Sequence, residues 1–362
     1  MFTRREFGWL GLAALDGARS TEAPRSWQRQ PPRTTAADGD RAYRYVHLDV
    51  FTDKRLAGNQ LLVFTDPAGL DVATMHAMTR ESNFSECTFV FPPEAAGTDH
   101  RVRIFTRNGE TPFAGHPTIG SAFALAHAGT IKAGTGRTVF GLGAGPTPID
   151  LEWTGTEIAG ATGGDLRPRL SFAWMTQLTP TFGKSVANGG ALAAAIGLSA
   201  DAMARLKPRA PGDVEPPAGQ EVNCGSTFFI VPLATRKAVD AAVLDRAKLD
   251  ALLTAAGLQR RGLYIFTTER GADDATAYSR LLGGAGAIED PATGSAAGPA
   301  GCFMAKYGLV PPDRAAQIVF QQGVLAGRPS RLHVRVAMSG GEVTGVKAGG
   351  RSVVVGEGTM AP

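Results

Sequence analysis

A short motif occurs twice in this chain at a constant separation, and it limits the folds that the chain can adopt. The pattern E-x-P-x-x-G-[H/S] begins at Glu110 and again at Glu289, an offset of 179 residues, with its proline and glycine positions matched. Each copy follows an apolar run typical of a strand and precedes a run of helical composition. The spacing therefore predicts two related halves, each containing a strand, a turn and a helix.

Prolines and glycines predict where the two motif helices begin. We expect helices over residues 117–128 and 297–307. Pro117 and Pro299 should lie in their first turns, where the missing N–H would have had no partner. The amides around 294–297 should then be free, and free amides at the positive end of a helix dipole bind anions. Two such helix starts that face each other would hold a carboxylate-bearing substrate from both sides.

The composition is that of a globular protein with no nucleic-acid partner. A length of 362 residues suggests about two domains, and 43% hydrophobic with 19% charged residues is typical of globular chains. The net charge of +4 is not gathered into a basic stripe with aromatic residues, which argues against nucleic-acid binding. Cys87, Cys224 and Cys302 have neither C-x-x-C spacing nor an even count, so neither a zinc site nor a disulfide framework is predicted.

The amino terminus resembles a twin-arginine export signal. Arg4 and Arg5 precede an apolar run over residues 8–15, which is too short to span a bilayer. Asp16 ends this run and no A-x-A cleavage site follows, so a vestigial signal or a misassigned start is the alternative. Residues 17–42 have the composition of a disordered linker. We expect a periplasmic protein if the signal acts and a cytoplasmic one if it does not.

Local patterns predict the elements of the folded body. Asp71 should cap a helix in which Met75 and Met78 face the core, and Gly58 with Asn59 should form a turn. Alternating or apolar runs predict strands over 44–51, 61–64, 101–106, 332–337 and 352–355, and a further strand that begins at Val319. The segments 191–206 and 238–256 have a composition typical of helices.

Glu86 is a carboxylate at the start of an apolar run, which we predict to be a strand that ends near Pro92. We assign its counterpart in the second half to the run 225–232, where Ser226 and Thr227 replace the acid. If the two halves are related, an acid in one half alone is what we expect of a site with a single catalytic base. The alternative is a solvated residue at a strand edge, which is common for glutamate.

Several motifs together resemble the PhzF-like phenazine-biosynthesis isomerase family. They run from Leu48 to Ser330, in the family's order and separation. The matching stretches are L-D-V-F-T (48–52), A-G-N (57–59), S-E-C-T-F-V (85–90), R-I-F-T with P-F-A-G-H-P-T-I-G (103–120), E-D-P-A-T-G-S-A-A-G (289–298) and G-R-P-S (327–330).

The resemblance implies a fold like that of diaminopimelate epimerase. This is an α+β fold of two pseudosymmetric domains, each a mostly antiparallel sheet or barrel curled around a central helix, with the active site between them. We predict domains at 43–165 and 168–335, after a signal and linker over 1–42. A last strand near 350–362 is expected to complete the first domain.

The resemblance also implies roles for individual residues. Glu86 matches the family's catalytic carboxylate, which moves a proton between carbon positions. The substrate-binding matches are Gly115, His116, Asp290, Gly294 and Ser295. Ala114 and Thr293 occupy the positions where epimerases of this fold carry two cysteines, and neither side chain can form a thiolate. A two-thiol mechanism is therefore excluded.

Two departures from the family pattern concern the shape of the cleft. Gln60 stands where the family usually has proline, and the segment 282–286 lacks the bulkier residues that the family often has before the second motif. Burial in a cleft should raise the pKa of Glu86 toward working pH. His116 and Asp290 are expected to form a hydrogen-bonded pair that fixes the imidazole tautomer.

Two alternatives stay open for these polar residues. A metal site of Glu86, His116 and Asp290 is one, although no metal-ligand spacing supports it. Arg328 could bind a substrate carboxylate or form a structural ion pair.

The leading hypothesis is an isomerase without cofactor or metal that shifts a proton on a small carboxylate-containing metabolite. The alternative is a non-catalytic protein that uses the same cleft to hold a ligand. A homodimer is left open, and we expect neither a nucleic-acid partner nor a membrane span.

Overall fold

The computed structural model describes residues 41–155, 168–204, 216–259, 262–283 and 289–362. The predicted export signal and nearly all of the predicted linker lie outside these ranges. Within them, no helix is both long enough and apolar enough to cross a membrane.

The first half is built on one sheet. Its strands are β1 (Tyr43–Val50), β2 (Asn59–Phe64), β3 (Glu86–Phe91), β4 (His100–Thr106), β5 (Gly109–Thr111), β6 (Arg137–Leu142), β7 (Gly145–Thr154) and β8 (Arg169–Thr176). Neighbouring strands pair in the order β1, β2, β3, β4, β6, β7, β8, and β5 pairs with β4. The pairings β2 with β3 and β4 with β6 are parallel, and the others are antiparallel.

The second half repeats this plan. Its strands are β9 (Thr181–Val186), β10 (Gly219–Asn223), β11 (Thr227–Pro232), β12 (Leu263–Thr267), β13 (Ala277–Leu282), β14 (Ile318–Gln322), β15 (Ser330–Ser339) and β16 (Glu342–Gly350), and the last strand of the chain is β17 (Ser352–Met360). From β10 to β16 the pairing follows the numbering, with β11 parallel to β12 and β13 parallel to β14. The alternation of parallel and antiparallel pairs is the same in both halves.

Strands of the two halves also pair with each other where the halves meet. β17, at the end of the chain, pairs antiparallel with β1, just as β9 pairs with β10. β8 pairs with both β7 and β16, so the hydrogen bonding is continuous from one half to the other. The α+β fold of two pseudosymmetric halves is confirmed, while the residue boundaries of the domains stay a prediction.

One helix lies at the centre of each half. The helices are α1 (Val72–Ser82), α2 (Gly115–His127), α3 (Gly189–Ala195), α4 (Arg236–Ala241), α5 (Arg246–Ala255) and α6 (Gly294–Lys306). α2 packs against β1, β2 and β8, and α6 packs against β11, β15 and β16. Both are apolar or small-residue helices buried on nearly every side, as helices enclosed by sheet must be. Their residues belong to one hydrophobic core that spans both halves.

The helix α1 follows its sequence signals closely. The Asp71 side chain accepts a hydrogen bond from the Thr74 amide, as an N-cap residue does, and the helix ends at Asn83 in the left-handed conformation. Met75 and Met78 are buried in a core cluster of the first half. Their predicted packing role is confirmed.

The predicted position of Pro299 is wrong. α6 begins at Gly294, so the proline lies in the second turn rather than the first. The backbone leaves the helical conformation at Thr293, and its carbonyl accepts hydrogen bonds from the amides of Ala296 and Ala297. The amides of Gly294 and Ser295 are thus the ones left without an intrahelical partner.

The predicted counterpart of the Glu86 strand is also wrong. β11, which contains most of the run 225–232, is parallel to β12 as β2 is to β3. The strand equivalent to β3 is therefore β12, whose first residue is Leu263. Local composition could not distinguish these strands, because both are short apolar runs and the pairing partner decides the equivalence. Asn59, predicted to lie in a turn, is the first residue of β2.

Candidate active site

A cavity of about 400 Å³ lies where the two halves meet, at the starts of α2 and α6. It is large enough for a small metabolite. The residues that line it include Asn59, Gln60, Asn83, Phe84, Ser85, Glu86, Thr106, Arg107, Phe113, Ala114, Phe228, Leu281, Gly283, Glu289, Asp290, Thr293, Ser295 and Arg328.

The starts of the two central helices touch each other. A Cβ atom on Gly115 would lie 2.6 Å from the Cα of Gly294, so only glycine fits at this contact. Neither Ala114 nor Thr293, the residues before the helices, caps its helix with a side chain. The first amides of both helices therefore remain available to an anion at one point of the cleft.

Glu86 is the first residue of β3, directly opposite Thr106 of β4. Its side chain is 20% exposed, but its Oε2 atom is buried and has no hydrogen-bond partner among the described residues. Burial raises the pKa of Glu86, and a hydrogen bond with Ser85 opposes this rise. The predicted direction of the pKa shift is what this geometry produces.

His116 faces Glu86 across a short gap. Its Nε2 atom lies 3.8 Å from Glu86 Oε2, and within the described part of the chain it too is buried without a hydrogen-bond partner. Burial lowers the pKa of His116 to about 4, while the negative charge of Asp290 opposes this fall. The imidazole is therefore neutral at pH 7.

Asn59 connects the two halves at the site. This residue is 2% exposed, and its amide nitrogen donates to Asp290 Oδ1 at 2.6 Å and to the Ala292 carbonyl at 2.9 Å. The same nitrogen lies 3.2 Å from His116 Nδ1, and Asn59 Oδ1 accepts from the Ser85 hydroxyl at 3.3 Å. The predicted hydrogen bond between His116 and Asp290 is thus wrong, because Asn59 lies between them.

Sequence reasoning missed Asn59 as a site residue. The signal was present in the A-G-N motif at 57–59, which matched the family pattern but to which we assigned only a turn and no site role. A buried asparagine must satisfy several donors and acceptors, so its presence at a strand start is a sign of a polar network.

Asp290 is held from both sides. Its second oxygen accepts a hydrogen bond from Thr293 Oγ1 at 2.6 Å, and the Gln322 amide donates to the Asp290 carbonyl at 2.8 Å. Burial raises the pKa of Asp290 to about 6, with the negative charge of Glu86 as the second cause. Two carboxyl groups therefore share one buried environment, and each makes ionisation of the other harder.

Ser295 and Gly294 occupy the start of α6. Ser295 is 9% exposed and lines the cavity, while the Gly294 carbonyl accepts a hydrogen bond from the Gln177 amide at 3.0 Å. The structure thus gathers all the predicted site residues at one place: Glu86, Gly115, His116, Asp290, Gly294 and Ser295.

Arg328 forms the structural ion pair that was one of its two predicted roles. Its Nη2 atom lies 2.5 Å from Oδ1 of Asp49, a residue that is 1% exposed. It also donates to the carbonyls of Ala57 and Gly58, directly before Asn59. The arginine therefore fixes the loop of the first half from the second half.

No group of three or more His, Cys, Asp or Glu side chains in the described ranges is arranged to hold a metal ion.

Comparison with known proteins gives a family match over most of the chain. The family model of the phenazine biosynthesis-like proteins, PhzC-PhzF, matches residues 48–358. The chain belongs to this family. The resemblance inferred from the motifs is confirmed, and the chain is an isomerase of the PhzF type.

Two curated relatives match this chain over nearly their whole length. The chain is 32% identical to trans-2,3-dihydro-3-hydroxyanthranilate isomerase of Pseudomonas aeruginosa over 87% of this chain and 98% of the relative. It is also 32% identical to an uncharacterized isomerase of Mesorhizobium japonicum, again over 87% and 98%.

Solved structures have the same fold. The PhzF-family phenazine biosynthesis protein of Bacillus anthracis is 23% identical with a TM-score of 0.72, covering 88% of this chain and 99% of that one. A predicted epimerase from Pseudomonas aeruginosa is 30% identical with a TM-score of 0.68 over the same shares. A hydroxyproline epimerase from Agrobacterium vitis, 13% identical over 89% and 93%, reaches 0.55 and supports the fold alone.

Proposed function

We propose that this PhzF-family isomerase moves a proton on a small carboxylate-containing metabolite, with Glu86 as the only acid–base group and without a cofactor. The observation that supports this most is the buried Oε2 atom of Glu86, which has no hydrogen-bond partner among the described residues and lies at the cavity. A raised pKa suits a group that must both take up and release a proton near neutral pH.

The helix starts orient the substrate in this proposal. Its carboxylate accepts hydrogen bonds from the first amides of α2 and α6, at Gly115 and Gly294, and from the Ser295 hydroxyl. This places the reacting carbon beside Glu86. Glu86 removes the proton from one carbon and returns it to another, so the ionised carboxylate is restored and no net proton is consumed.

His116 and Asp290 hold the substrate on the other side of the reacting carbon. The neutral imidazole faces Glu86. Depending on its tautomer, it can accept a hydrogen bond from a polar group of the substrate or donate one to it. Asp290 is ionised above a pKa of about 6 and orients a donor group. Orientation of this kind contributes to the rate by keeping the reacting carbon near its base.

The first substrate to test is the compound that gives the Pseudomonas aeruginosa relative its name, trans-2,3-dihydro-3-hydroxyanthranilate. Purified protein is incubated with it in deuterated water, and NMR follows isomerisation and deuterium at carbon. A single base that returns the same proton leaves the product only partly deuterated. Other small unsaturated acids are screened in the same way.

The Glu86→Gln variant tests the role of the carboxylate. It keeps the size of the side chain but cannot titrate, so turnover should fall roughly 10² to 10⁴-fold while ligand binding is kept. Glu81→Gln is the matched control, because Glu81 is an exposed residue of α1 outside the cavity.

Full turnover by Glu86→Gln would overturn the single-base assignment and make Asp290 the candidate. Ligand binding without isomerisation or exchange at carbon for any substrate would instead favour the non-catalytic binding protein.

Export and assembly are separate proposals. Replacing Arg4 and Arg5 by lysine should retain the protein in the cytoplasm if the twin-arginine signal acts, as measured by cell fractionation. A wild-type protein found wholly in the cytoplasm with Met1 intact would contradict export.

A homodimer remains a prediction that sedimentation equilibrium would check.

A further inference from the structure

Of the five charged side chains that line the cavity among the described residues, two are held in ion pairs. Glu289 forms a two-point ion pair with Arg280, and Arg328 is paired with Asp49. Glu86 and Asp290, which we call the acidic centre, lie together at the same cavity. Among the described residues that line the cavity, Arg107 is the one cation with no carboxylate at ion-pair distance.

The backbone places Arg107 close to the acidic centre. It follows Thr106, the residue directly opposite Glu86, in the turn between β4 and β5. His76 holds this turn through a 2.8 Å hydrogen bond between its Nε2 atom and the Arg107 carbonyl. The turn is therefore fixed by helix α1, and the arginine extends from a rigid base.

The guanidinium group of Arg107 is only lightly held. Its Nη2 atom donates to the Asn83 carbonyl at 3.3 Å, a long hydrogen bond to the end of α1. A guanidinium has five N–H donors, so most of them remain free for another acceptor. Because the side chain is half-buried at the cavity wall, a bound anion would meet it partly shielded from water.

The equivalent position in the second half carries no charge. Leu263 pairs with Leu282 as Glu86 pairs with Thr106, so Gly283 stands where Arg107 does. Gly283 also lines the cavity. The cavity thus has a cation on one side and a glycine on the other, which makes its recognition of a ligand asymmetric.

We propose that Arg107 binds a second anionic group when the ligand carries one, so that this cleft prefers small acids with two carboxylates to small acids with one. One carboxylate lies at the helix starts, as in the proposed function on which this inference rests. The other lies on the Arg107 guanidinium, whose planar donors match the two oxygens of a carboxylate. The reacting carbon lies between them, beside Glu86.

Isothermal titration calorimetry tests this with unreactive probes. Benzoate carries one carboxylate, and phthalate, isophthalate and terephthalate carry a second at three different spacings. Wild-type protein should bind at least one of the three dicarboxylates about tenfold or more tightly than benzoate at low salt, and the preference should shrink as salt is added.

Arg107→Gln and Arg80→Gln form the matched pair of variants. Both lose one positive charge, but Arg80 is exposed on α1 and does not line the cavity. The Arg107→Gln variant should lose the dicarboxylate preference, to within about twofold of benzoate, while its benzoate affinity stays unchanged. The Arg80→Gln variant should keep the preference.

Two results would overturn the proposal. One is a wild-type protein that binds none of the three dicarboxylates more tightly than benzoate, and the other is a preference that survives in Arg107→Gln. Because calorimetry measures binding without turnover, the outcome does not depend on Glu86. A kept preference with no proton exchange at carbon would refute the proposed function alone, and exchange without the preference would refute this inference alone.

Discussion

The two halves of the molecule share a backbone plan but not their chemistry. β3 begins with Glu86, and the equivalent strand β12 begins with Leu263. Asn59 opens β2 and reaches across the cleft to Asp290, whereas Thr227 opens β11 and accepts a hydrogen bond from Asn223 of its own half. The polar groups that could act on a substrate therefore stand where the repeat is broken.

Features that both halves keep are structural. Glu110 and Glu289 begin the two copies of the motif, and each is bound by an arginine of the preceding strand, Arg103 or Arg280. Gly115 and Gly294 bring the two helix starts into contact. Comparing a residue with its counterpart thus separates what builds the cleft from what acts in it.

The largest effect is expected from Gly115→Ala. The added Cβ would lie 2.5 Å from the Gly294 carbonyl carbon, so the backbones of the two halves must move apart. We expect the free energy of unfolding to fall by about 3 kcal/mol, as overpacked sites show, with ligand affinity reduced as well. Urea denaturation measures this. Gly136→Ala is the control because no atom lies within 4 Å of the point that its Cβ would occupy, and it should change stability by less than about 0.5 kcal/mol.

Replacing each of the two motif glutamates should lower the free energy of unfolding by a different amount. Glu289→Gln leaves the Arg280 guanidinium, whose side chain is 11% exposed, without its carboxylate, so we expect a loss of about 2 kcal/mol. Glu110→Gln breaks a more exposed pair with Arg103 and should cost less than about 1 kcal/mol. Equal losses in urea denaturation would contradict the view that the second copy is the more deeply buried one.

Asn59 and Thr227 should differ in their effect on catalysis. Asn59 lowers the pKa of Asp290 by donating a hydrogen bond, so Asn59→Ala should raise that pKa further above about 6. The acid limb of kcat/KM should move to higher pH, with a loss of about tenfold at neutral pH. Thr227→Ala should leave the profile in place. An unmoved acid limb in Asn59→Ala would show that Asn59 is only structural.

The smallest effect concerns His333 in the second half. Burial lowers its pKa to about 4, and the charges of Arg331, Arg351 and Arg335 add to this. The unfolded chain then binds more protons than the folded one between pH 6.5 and 4, so stability falls as pH falls through this window. His333→Phe keeps the edge contact with Phe172 and should reduce this acid sensitivity by about 1 kcal/mol between pH 6.5 and 5.5. Thermal unfolding at several pH values measures it, and turnover should stay unchanged.

Local signals were enough to predict much of the fold. The cap at Asp71, the apolar strands and the small-residue helices α2 and α6 follow from residues close together in sequence. The repeat at an offset of 179 residues predicted the two halves. Each of these features is decided within one turn or one strand, where composition and spacing act directly.

Contacts between distant segments could not be predicted in this way. The equivalence of β3 with β12 depends on which strands pair, and Asn59 meets Asp290 across 231 residues of chain. The resemblance named the site residues, but their roles remain proposals. A side chain such as Asn59 can satisfy its polar groups in many ways, and only the fold selects one.

The pairing of β17 with β1 bears on how the protein is made. The Ser352 hydroxyl donates to the Asp49 carbonyl across 303 residues, and the strands around this contact pair along their whole length. During synthesis, the first sheet keeps an open edge at β1 until β17 has left the ribosome. Folding of the first half therefore waits for the synthesis of β17, and a chain truncated before β17 would expose a strand edge prone to aggregation.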